Sequence, residues 1–306
     1  MSIVVFGSVN IDITTYGERL PRPGESMLGQ RYAIGQGGKG ANQAVAAARL
    51  GAPVQFAGRV GADALGGLAR QLLDAGGVST ENLMVDPTRP TGVAVINVID
   101  VTGENAITFI GGANMGLDLG DAARVAPLLG NAQVLLLQLE VPLASSLAAA
   151  ERVRAGGGTV ILDPAPVPAE GLADDVLRRV DFLTPNEIET ETLVGIRPTS
   201  TAAAAAAAGR LTERGLAVAI VKMGAHGVYF RGRGSEGFVP AFAVKAVDTV
   251  AAGDCFNGGL AFALLRGDDL PSAVRFAAAC GALSTTRPGA SASAPKLPEV
   301  EALLGA

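Results

Sequence analysis

Short apolar runs alternate along this chain with helix-like stretches, and this alternation constrains the fold more than any other feature. The runs lack the apolar–polar alternation of a half-exposed strand, which is typical of parallel strands covered on both faces. The helix-like stretches 40–50, 65–75 and 143–154 each end at a glycine, a common helix terminator. We therefore predict an α/β fold with one doubly wound, mostly parallel central sheet flanked by helices on both faces. The predicted strands cover residues 3–7, 54–60, 134–139, 160–162, 182–184 and 218–221.

Two segments interrupt this rhythm and predict a second, smaller sheet that projects from the first. Residues 13–34 carry a P-R-P-G turn between alternating runs, and residues 93–110 form two strands around a turn. Both are too rich in β signals to be crossover helices, although two unrelated surface hairpins are the alternative. An antiparallel pair within 228–247 is predicted to extend one edge of the main sheet. Because no Pro/Gly/Ser-rich linker divides the chain, we predict a single domain over residues 1–306.

Composition excludes several classes of protein. The chain has 306 residues, of which 49% are hydrophobic and 17% charged, as expected of a globular protein with a large core. Its net charge is −5 with no basic block, so nucleic-acid binding is not expected. No apolar stretch reaches membrane-spanning length and Met1 leads directly into a strand, so we expect neither a membrane partner nor a secretory signal. Cys255 and Cys280 fit free thiols in a reducing compartment, which predicts the cytoplasm.

The motif D-T-V-A-A-G-D-C-F-N-G-G at residues 248–259 is the most informative for function. It joins a strand-like segment, 242–247, to an apolar-periodic helix that begins near Asp254. Small residues at 251–253 leave the backbone open to a ligand, and the first N–H groups of a helix suit phosphate. Asp254 would then lie beside a bound phosphate, where phosphoryl transfer needs a base. The alternative is an ordinary aspartate that caps an ordinary helix.

A second glycine-rich turn, G-Q-G-G-K-G-A-N at residues 35–42, opens another helix. It fails as a Walker A motif, because residue 33 is alanine and Gly40 follows Lys39 where serine or threonine is needed. Residues 7–12 likewise lack the G-x-G-x-x-G of a dinucleotide-binding start. What remains is a loop that lets a ligand approach the backbone, with Lys39 and Asn42 as donors.

Asn10 and Asp12 follow the first predicted strand, at the carboxyl edge where open sheets bind ligands. Carboxylate and amide pairs suit vicinal hydroxyls, which need both donors and acceptors. Asp12 as a turn cap and Lys39 as a solvated side chain are the alternatives. The combination with the motif around Asp254 favours a polyol site.

Together these motifs resemble the PfkB (ribokinase-like) carbohydrate kinase family, and within it the ribokinases, over essentially the whole length. The resemblance is carried by G-G-K-G-A-N-Q-A-V at 37–45, P-N-E-I-E at 185–189 and the 248–259 motif. It implies that segments 13–34 and 93–110 form a lid over the sugar, and that paired lids build a homodimer. It also implies transfer of the γ-phosphoryl group of ATP to the 5-hydroxyl of D-ribose, with Mg²⁺ and a monovalent cation, K⁺. Another acceptor (deoxyribose, a ketohexose or a nucleoside) and a non-catalytic sugar or nucleotide sensor are the rival readings.

The resemblance also assigns residues by position. Asp254 would be the base, and the backbone anion hole would be formed by Ala251, Ala252, Gly253 and Asp254. The sugar would contact Asn10, Asp12, Gly38, Lys39, Asn42, Glu140 and Asp254. ATP would contact Asn186, Lys222, Gly224, Gly227, Gly253 and Asp254. Glu189 would place magnesium through water, and the monovalent cation would lie among Asp248, Val250, Ser284, Arg287, Gly289 and Ser293.

Three residues depart from the family pattern or stand apart from it. Lys222 replaces a threonine that ribokinases often carry, which leaves its nucleotide contact open. Cys255 occupies a position often filled by threonine or serine. A cysteine near a helix start can have a lowered pKa, so a thiol nucleophile is the alternative to a packing residue. His226, the only histidine, is predicted to be a loop side chain and not a metal ligand.

Overall fold

The computed structural model describes residues 2–305 and contains two sheets there. The strands are β1 Ile3–Phe6, β2 Asn10–Gly17, β3 Arg31–Gly37, β4 Val54–Gly61, β5 Val78–Ser79, β6 Leu83–Asp86, β7 Gly92–Ile99, β8 Asn105–Ile110, β9 Val134–Leu137, β10 Thr159–Leu162, β11 Phe182–Leu183, β12 Val218–Lys222, β13 Val228–Gly232 and β14 Ser235–Val239. The helices are α1 Lys39–Arg49, α2 Ala64–Ala75, α3 Leu119–Arg124, α4 Ala126–Gly130, α5 Leu143–Ala155, α6 Asp174–Arg178, α7 Glu187–Val194, α8 Thr201–Glu213, α9 Ala252–Arg266, α10 Leu270–Ser284 and α11 Leu297–Gly305. None of the described helices is long and apolar enough to cross a membrane.

The main sheet confirms the predicted doubly wound architecture. Its strand order is β14-β13-β12-β11-β10-β9-β1-β4-β5, with β6 also paired to β4. All pairs from β12 to β5 are parallel, and β13 and β14 add an antiparallel edge. Strand β1 shows why the apolar runs do not alternate. Ile3 and Val5 face one core cluster, whereas Val4 and Phe6 face the other, so every side chain is buried.

The small sheet has the order β3-β2-β7-β8. Strands β2 and β7 pair in parallel from Asn10↔Gly92 to Gly17↔Ile99, which joins the two segments that the sequence placed far apart. Two unrelated hairpins are therefore excluded. Strand β8 is exposed along its whole length. The assignment of this sheet as a lid, with the bounds 13–34 and 93–110, remains a prediction.

One local prediction was wrong. Residues 242–247 form no strand, and the antiparallel pair ends at Val239. Phe242 packs against the core, whereas Val247 is largely exposed and its N–H bonds to the carbonyl of Thr285 and not to a partner strand.

The predicted glycine ends of two helices are confirmed, because Gly76 is the C-cap of α2 and Gly156 is the C-cap of α5. The left-handed conformation falls on the following residue, at Gly77 and Gly157, both with φ of 82°.

Candidate active site

The amino terminus of α9 leaves backbone donors free. Ala251 precedes the helix in the left-handed conformation, with φ of 59° and no side-chain cap. The Ala252 N–H bonds to the carbonyl of Thr249 at 3.3 Å, so it is less available than the sequence predicted. The N–H groups of Gly253 and Asp254 have no acceptor among residues 2–305. Two adjacent donors at the positive end of a helix are a site for an anion.

Asp254 lies against the first turns of α1. Its Oδ2 accepts a hydrogen bond from Asn42 Nδ2 at 3.1 Å, and its Oδ1 accepts one from Gln43 Nε2 at 3.1 Å. This approach needs Gly258, since a Cβ there would lie 2.9 Å from the backbone nitrogen of Ala47. The carboxylate therefore contacts the neighbouring helix and caps none of its own, which contradicts the ordinary-cap reading.

The turn before α1 brings the first strands of both sheets to the same place. Gly38 has φ of 88°, and a Cβ there would lie 2.8 Å from Asn10 N and 2.9 Å from Val9 Cα. Gly38 is therefore required sterically. A Cβ on Gly37 would lie 1.8 Å from Asp12 Oδ1, so a side chain there would displace the Asp12 carboxylate. Asn10 and Asp12 therefore both lie against the turn that precedes α1, as the sequence predicted.

Glu140 ties the loop after β9 to the start of α1. Its Oε2 accepts hydrogen bonds from Ser8 Oγ at 2.5 Å and from the Lys39 N–H at 2.9 Å. Ser8 Oγ in turn accepts a bond from the Gly40 N–H at 3.3 Å. A carboxylate at a helix N-terminus is electrostatically favourable. The sequence predicted Glu140 and missed Ser8.

Burial and mutual repulsion set the charge of these groups. Burial raises the pKa of Asp254 to about 6, opposed by the Lys39 ammonium and reinforced by Asp163. Burial also raises the pKa of Asp12 to about 6, with Glu140 and Asp254 adding to it. Burial would lower the pKa of Lys39, but Asp254, Asp163 and Glu140 outweigh it and hold that pKa above its ordinary value. The site thus combines a fixed cation with a carboxylate whose pKa suits a general base near neutral pH.

Asp163 is a central residue that the sequence reasoning missed. It follows β10 and is buried, with Lys222 Nζ at 3.1 Å from its Oδ1 and Gln43 Nε2 at 3.1 Å from its Oδ2. The same Gln43 amide group therefore bonds both Asp163 and Asp254. The sequence did contain a signal for this residue, because Asp163 is the first polar residue after the apolar run of β10, and polar residues such as Asn10 also follow β1.

The predicted nucleotide residues converge from α7, β12 and α9. Lys222 ends β12, and a Cβ on Gly253 would lie 3.3 Å from its Nζ, so the lysine lies directly over the start of α9. Gly224 and Gly227 bound the short turn that follows, with φ of 49° and 103°. A Cβ on Gly227 would lie 2.3 Å from the carbonyl of Val239, so the turn is tight enough to require glycine.

Asn186 and Glu189 form a reciprocal capping box at the start of α7. Asn186 Oδ1 accepts from the Glu189 N–H at 2.9 Å, while the Glu189 carboxylate accepts from both nitrogens of Asn186. Burial, with Asp163 adding to it and Lys222 opposing, raises the pKa of Glu189. Within residues 2–305 no group of three or more Asp, Glu, His or Cys side chains could hold a metal ion. The role of Glu189 in placing magnesium remains a prediction.

The predicted monovalent-cation residues fall into two groups. Asp248 connects its own loop to the later one, because its carboxylate accepts hydrogen bonds from the N–H groups of Val250 and Gly289, each at 3.0 Å. Arg287 instead pairs with Glu299 at 2.7 Å. The hydroxyls of Ser284 and Ser293 donate to backbone carbonyls of their own turns. Asp248 thus holds the two loops together, whereas the Arg287 side chain is directed to Glu299, and the monovalent-cation site remains a prediction.

Cys255 and His226 take no part in the arrangement. Cys255 is 1% exposed, and burial, reinforced by Asp254, raises the pKa of its thiol to about 12. A thiol that stays protonated is a poor nucleophile, so the packing interpretation is favoured. His226 is exposed in the turn between β12 and β13.

Comparison with known sequences identifies the family. The pfkB family carbohydrate kinase profile matches residues 1–297. The chain belongs to the PfkB carbohydrate kinase family. The resemblance on which the residue assignments rest is thereby confirmed, although the roles of the individual residues remain predictions.

Two curated relatives and one solved structure resemble this PfkB-family chain over nearly its whole length. It is 38% identical to the ribokinase of Haemophilus influenzae, over 96% of this chain and 95% of that protein. It is also 38% identical to the deoxyribokinase of Salmonella typhi, over 97% of this chain and 96% of that protein. The Arabidopsis thaliana ribokinase, solved in complex with ribose and ATP, superposes with a TM-score of 0.91 at 34% identity, covering 99% of this chain and 98% of that one.

Proposed function

We propose that this PfkB-family chain transfers the γ-phosphoryl group of ATP to the 5-hydroxyl of D-ribose, giving ribose 5-phosphate. The observation that carries the proposal is Asp254, a buried carboxylate with a raised pKa beside the two free N–H groups of α9. The relatives named ribokinase, one of them solved with ribose and ATP, support the acceptor and the donor. Deoxyribose is the second candidate, because a deoxyribokinase is equally similar in sequence.

In the proposed reaction Asp254 takes the proton from the attacking hydroxyl. The N–H groups of Gly253 and Asp254 stabilise the charge that develops on the phosphoryl oxygens, and Lys222 lies close enough to Gly253 to add to that field. Magnesium bound to the phosphates, and linked through water to Glu189, would neutralise their charge. Lid closure excludes water, which would otherwise compete with the sugar as acceptor.

The sugar is held by groups that both donate and accept hydrogen bonds. Asp12 and Glu140 supply carboxylate oxygens, and Lys39 supplies a fixed cation. Asn42 donates from Nδ2 to Asp254 Oδ2 at 3.1 Å, so its amide lies beside the carboxylate that would meet the attacking hydroxyl. Such a mixed set suits a polyol better than a flat apolar ligand. As part of the same proposal, K⁺ binds at the Asp248 loop pair, and the protein works in the cytoplasm, where ATP is its donor.

The proposal predicts the ranking of acceptors. In an assay that couples ADP release to a detectable signal, D-ribose should give a higher kcat/KM than deoxyribose, fructose or adenosine, because its hydroxyls satisfy the most buried polar groups. Omitting potassium should lower the rate, with sodium chloride as the ionic-strength control. A higher kcat/KM with deoxyribose would establish the rival acceptor. If none of these compounds causes ATP to be consumed, a non-catalytic sensor is favoured.

We also propose a homodimer through the small sheet, because this sheet exposes apolar side chains. Ile34 on β3 is 49% exposed and Ile107 on β8 is 59% exposed, on opposite faces. Sedimentation equilibrium should give twice the chain mass of 30.7 kDa. Ile34→Glu/Ile107→Glu should shift it toward the monomer, whereas Ile188→Glu on α7, 63% exposed, should not. A monomeric wild type at micromolar concentration would refute the dimer.

A further inference from the structure

Asn114 lies in the short turn after β8 and is completely buried. Its side chain binds the main chain of Val9 on both sides: Oδ1 accepts from the Val9 N–H at 3.0 Å, and Nδ2 donates to the Val9 carbonyl at 3.1 Å. A peptide N–H only donates and a peptide carbonyl only accepts. The orientation of the Asn114 amide is therefore fixed by the chemistry of the backbone, with no freedom to exchange oxygen and nitrogen.

This orientation fixes a second amide. The other hydrogen of Asn114 Nδ2 is donated to Asn10 Oδ1 at 2.7 Å. Since the Asn114 atom is a donor, the Asn10 atom that meets it has to be the oxygen. The close contact requires Gly92 on the neighbouring strand, because a Cβ there would lie 2.1 Å from Asn10 Oδ1 and 2.5 Å from Asn114 Nδ2.

Asn10 is thereby left with a free donor on its other side. Its Nδ2 makes no hydrogen bond within residues 2–305, and it is not among the fully sealed polar atoms without a partner. Asn10 and Asp12 are two positions apart on β2, so their side chains project from the same face of the small sheet. That face carries the Asp12 carboxylate, which interacts with Glu140 and Asp254. The free Nδ2 therefore belongs to the candidate sugar pocket.

We infer that Asn114 is a positioning residue that fixes Asn10 as a hydrogen-bond donor to one ring substituent of the sugar. The inference rests on the proposed function, because it takes the pocket beside Asp12 to hold the sugar. A hydrogen-bond donor such as Asn10 Nδ2 needs a lone pair on the substituent that it contacts. The site therefore accepts an oxygen or a fluorine at that carbon and discriminates against hydrogen, whereas an acceptor at the same place would recognise only a group that carries a proton.

The test uses D-ribose and its 2-deoxy, 2-deoxy-2-fluoro, 3-deoxy and 3-deoxy-3-fluoro analogues, with kcat/KM measured for each. At one of the two carbons, the kcat/KM of wild type for the fluoro analogue should lie within about fivefold of that for D-ribose. The kcat/KM for the deoxy analogue should be about 10- to 100-fold lower, since hydrogen leaves the donor unpaired. If fluorine is treated like hydrogen at both carbons, the inference is overturned.

Two variants test the origin of this preference. An ionised Asn114→Asp side chain cannot donate to Asn10, so the Asn10 amide should turn and present its oxygen, and the fluorine-over-hydrogen ratio should fall to about 1. Asn10→Asp keeps the bond from Asn114 but presents an oxygen, and should lose the same ratio even if the first variant does not fold. Asn105→Asp, the same change at an exposed position of β8, should keep it.

The outcomes separate the two proposals. A folded Asn114→Asp protein, or an Asn10→Asp protein, that keeps the wild-type ratio would overturn the inference alone. Wild-type protein that does not phosphorylate D-ribose would refute the proposed function, and the inference with it.

Discussion

The Asp254→Asn protein is expected to turn over ribose about 10²–10⁴-fold more slowly than wild type, the usual contribution of a positioned base. The change preserves the shape of the side chain, and Oδ1 of an asparagine can still accept the bond from Asn42 or Gln43. Binding of ATP and ribose should therefore survive, with KM values close to those of wild type. Steady-state kinetics and calorimetric titration with each ligand measure the two effects separately.

The matched control for this change is Asp269→Asn. Asp269 is an ordinary helix cap, whose side chain accepts from the Ser272 N–H at 2.9 Å at the start of α10. That variant should keep full turnover. If Asp254→Asn also stays within about threefold of wild type, Asp254 is not the base.

The pH dependence gives a second readout on the same group. A general base acts only when deprotonated, so kcat/KM should fall as the pH drops through about 6, where burial places the pKa of Asp254. Asp12 has a pKa raised to about 6 as well, and the two carboxylates repel each other, so the acid limb reports their joint titration. Asp12→Asn should move this limb toward lower pH, because it removes a repulsive charge. An unmoved limb would mean that Asp12 and Asp254 do not interact.

The sequence predicted the main sheet well because burial on both faces leaves an unmistakable pattern, as in β1. It also placed Asp254 in the first turn of a helix that follows small residues, as observed in α9. The role of Asp254 as the base remains a prediction. It placed segments 13–34 and 93–110 in one small sheet, but it could not predict which of their strands pair or in what register. The parallel register of β2 and β7, some 80 residues apart, is set by packing and not by local pattern. For the same reason it missed Asn114, whose role depends on a contact with Val9 across 105 residues.

Lys222 shows a different limit of sequence reasoning. The sequence marked this lysine as a departure from the family pattern but did not reveal its partner, Asp163. This partner follows another strand: Lys222 Nζ lies 3.1 Å from Asp163 Oδ1, and the two side chains are 13% and 3% exposed. A buried charge whose partner is removed is strongly destabilising. Lysine at this position and aspartate after β10 therefore require each other.

Lys222→Met is expected to lower the free energy of unfolding by about 3–5 kcal/mol, measured by urea denaturation. Asp163→Asn should lower it by less, because the flexible Lys222 ammonium reaches solvent more easily than the Asp163 carboxylate does. The double variant should recover part of the loss. The exposed pair Glu191–Arg197, 49% and 53% exposed, is the control, and breaking it should change stability by no more than about 1 kcal/mol. If Lys222→Met lowers the free energy of unfolding by less than about 1 kcal/mol, the ion pair does not stabilise the fold. If Asp163→Asn lowers it by more than Lys222→Met does, the Lys222 ammonium is the charge that depends more on its partner.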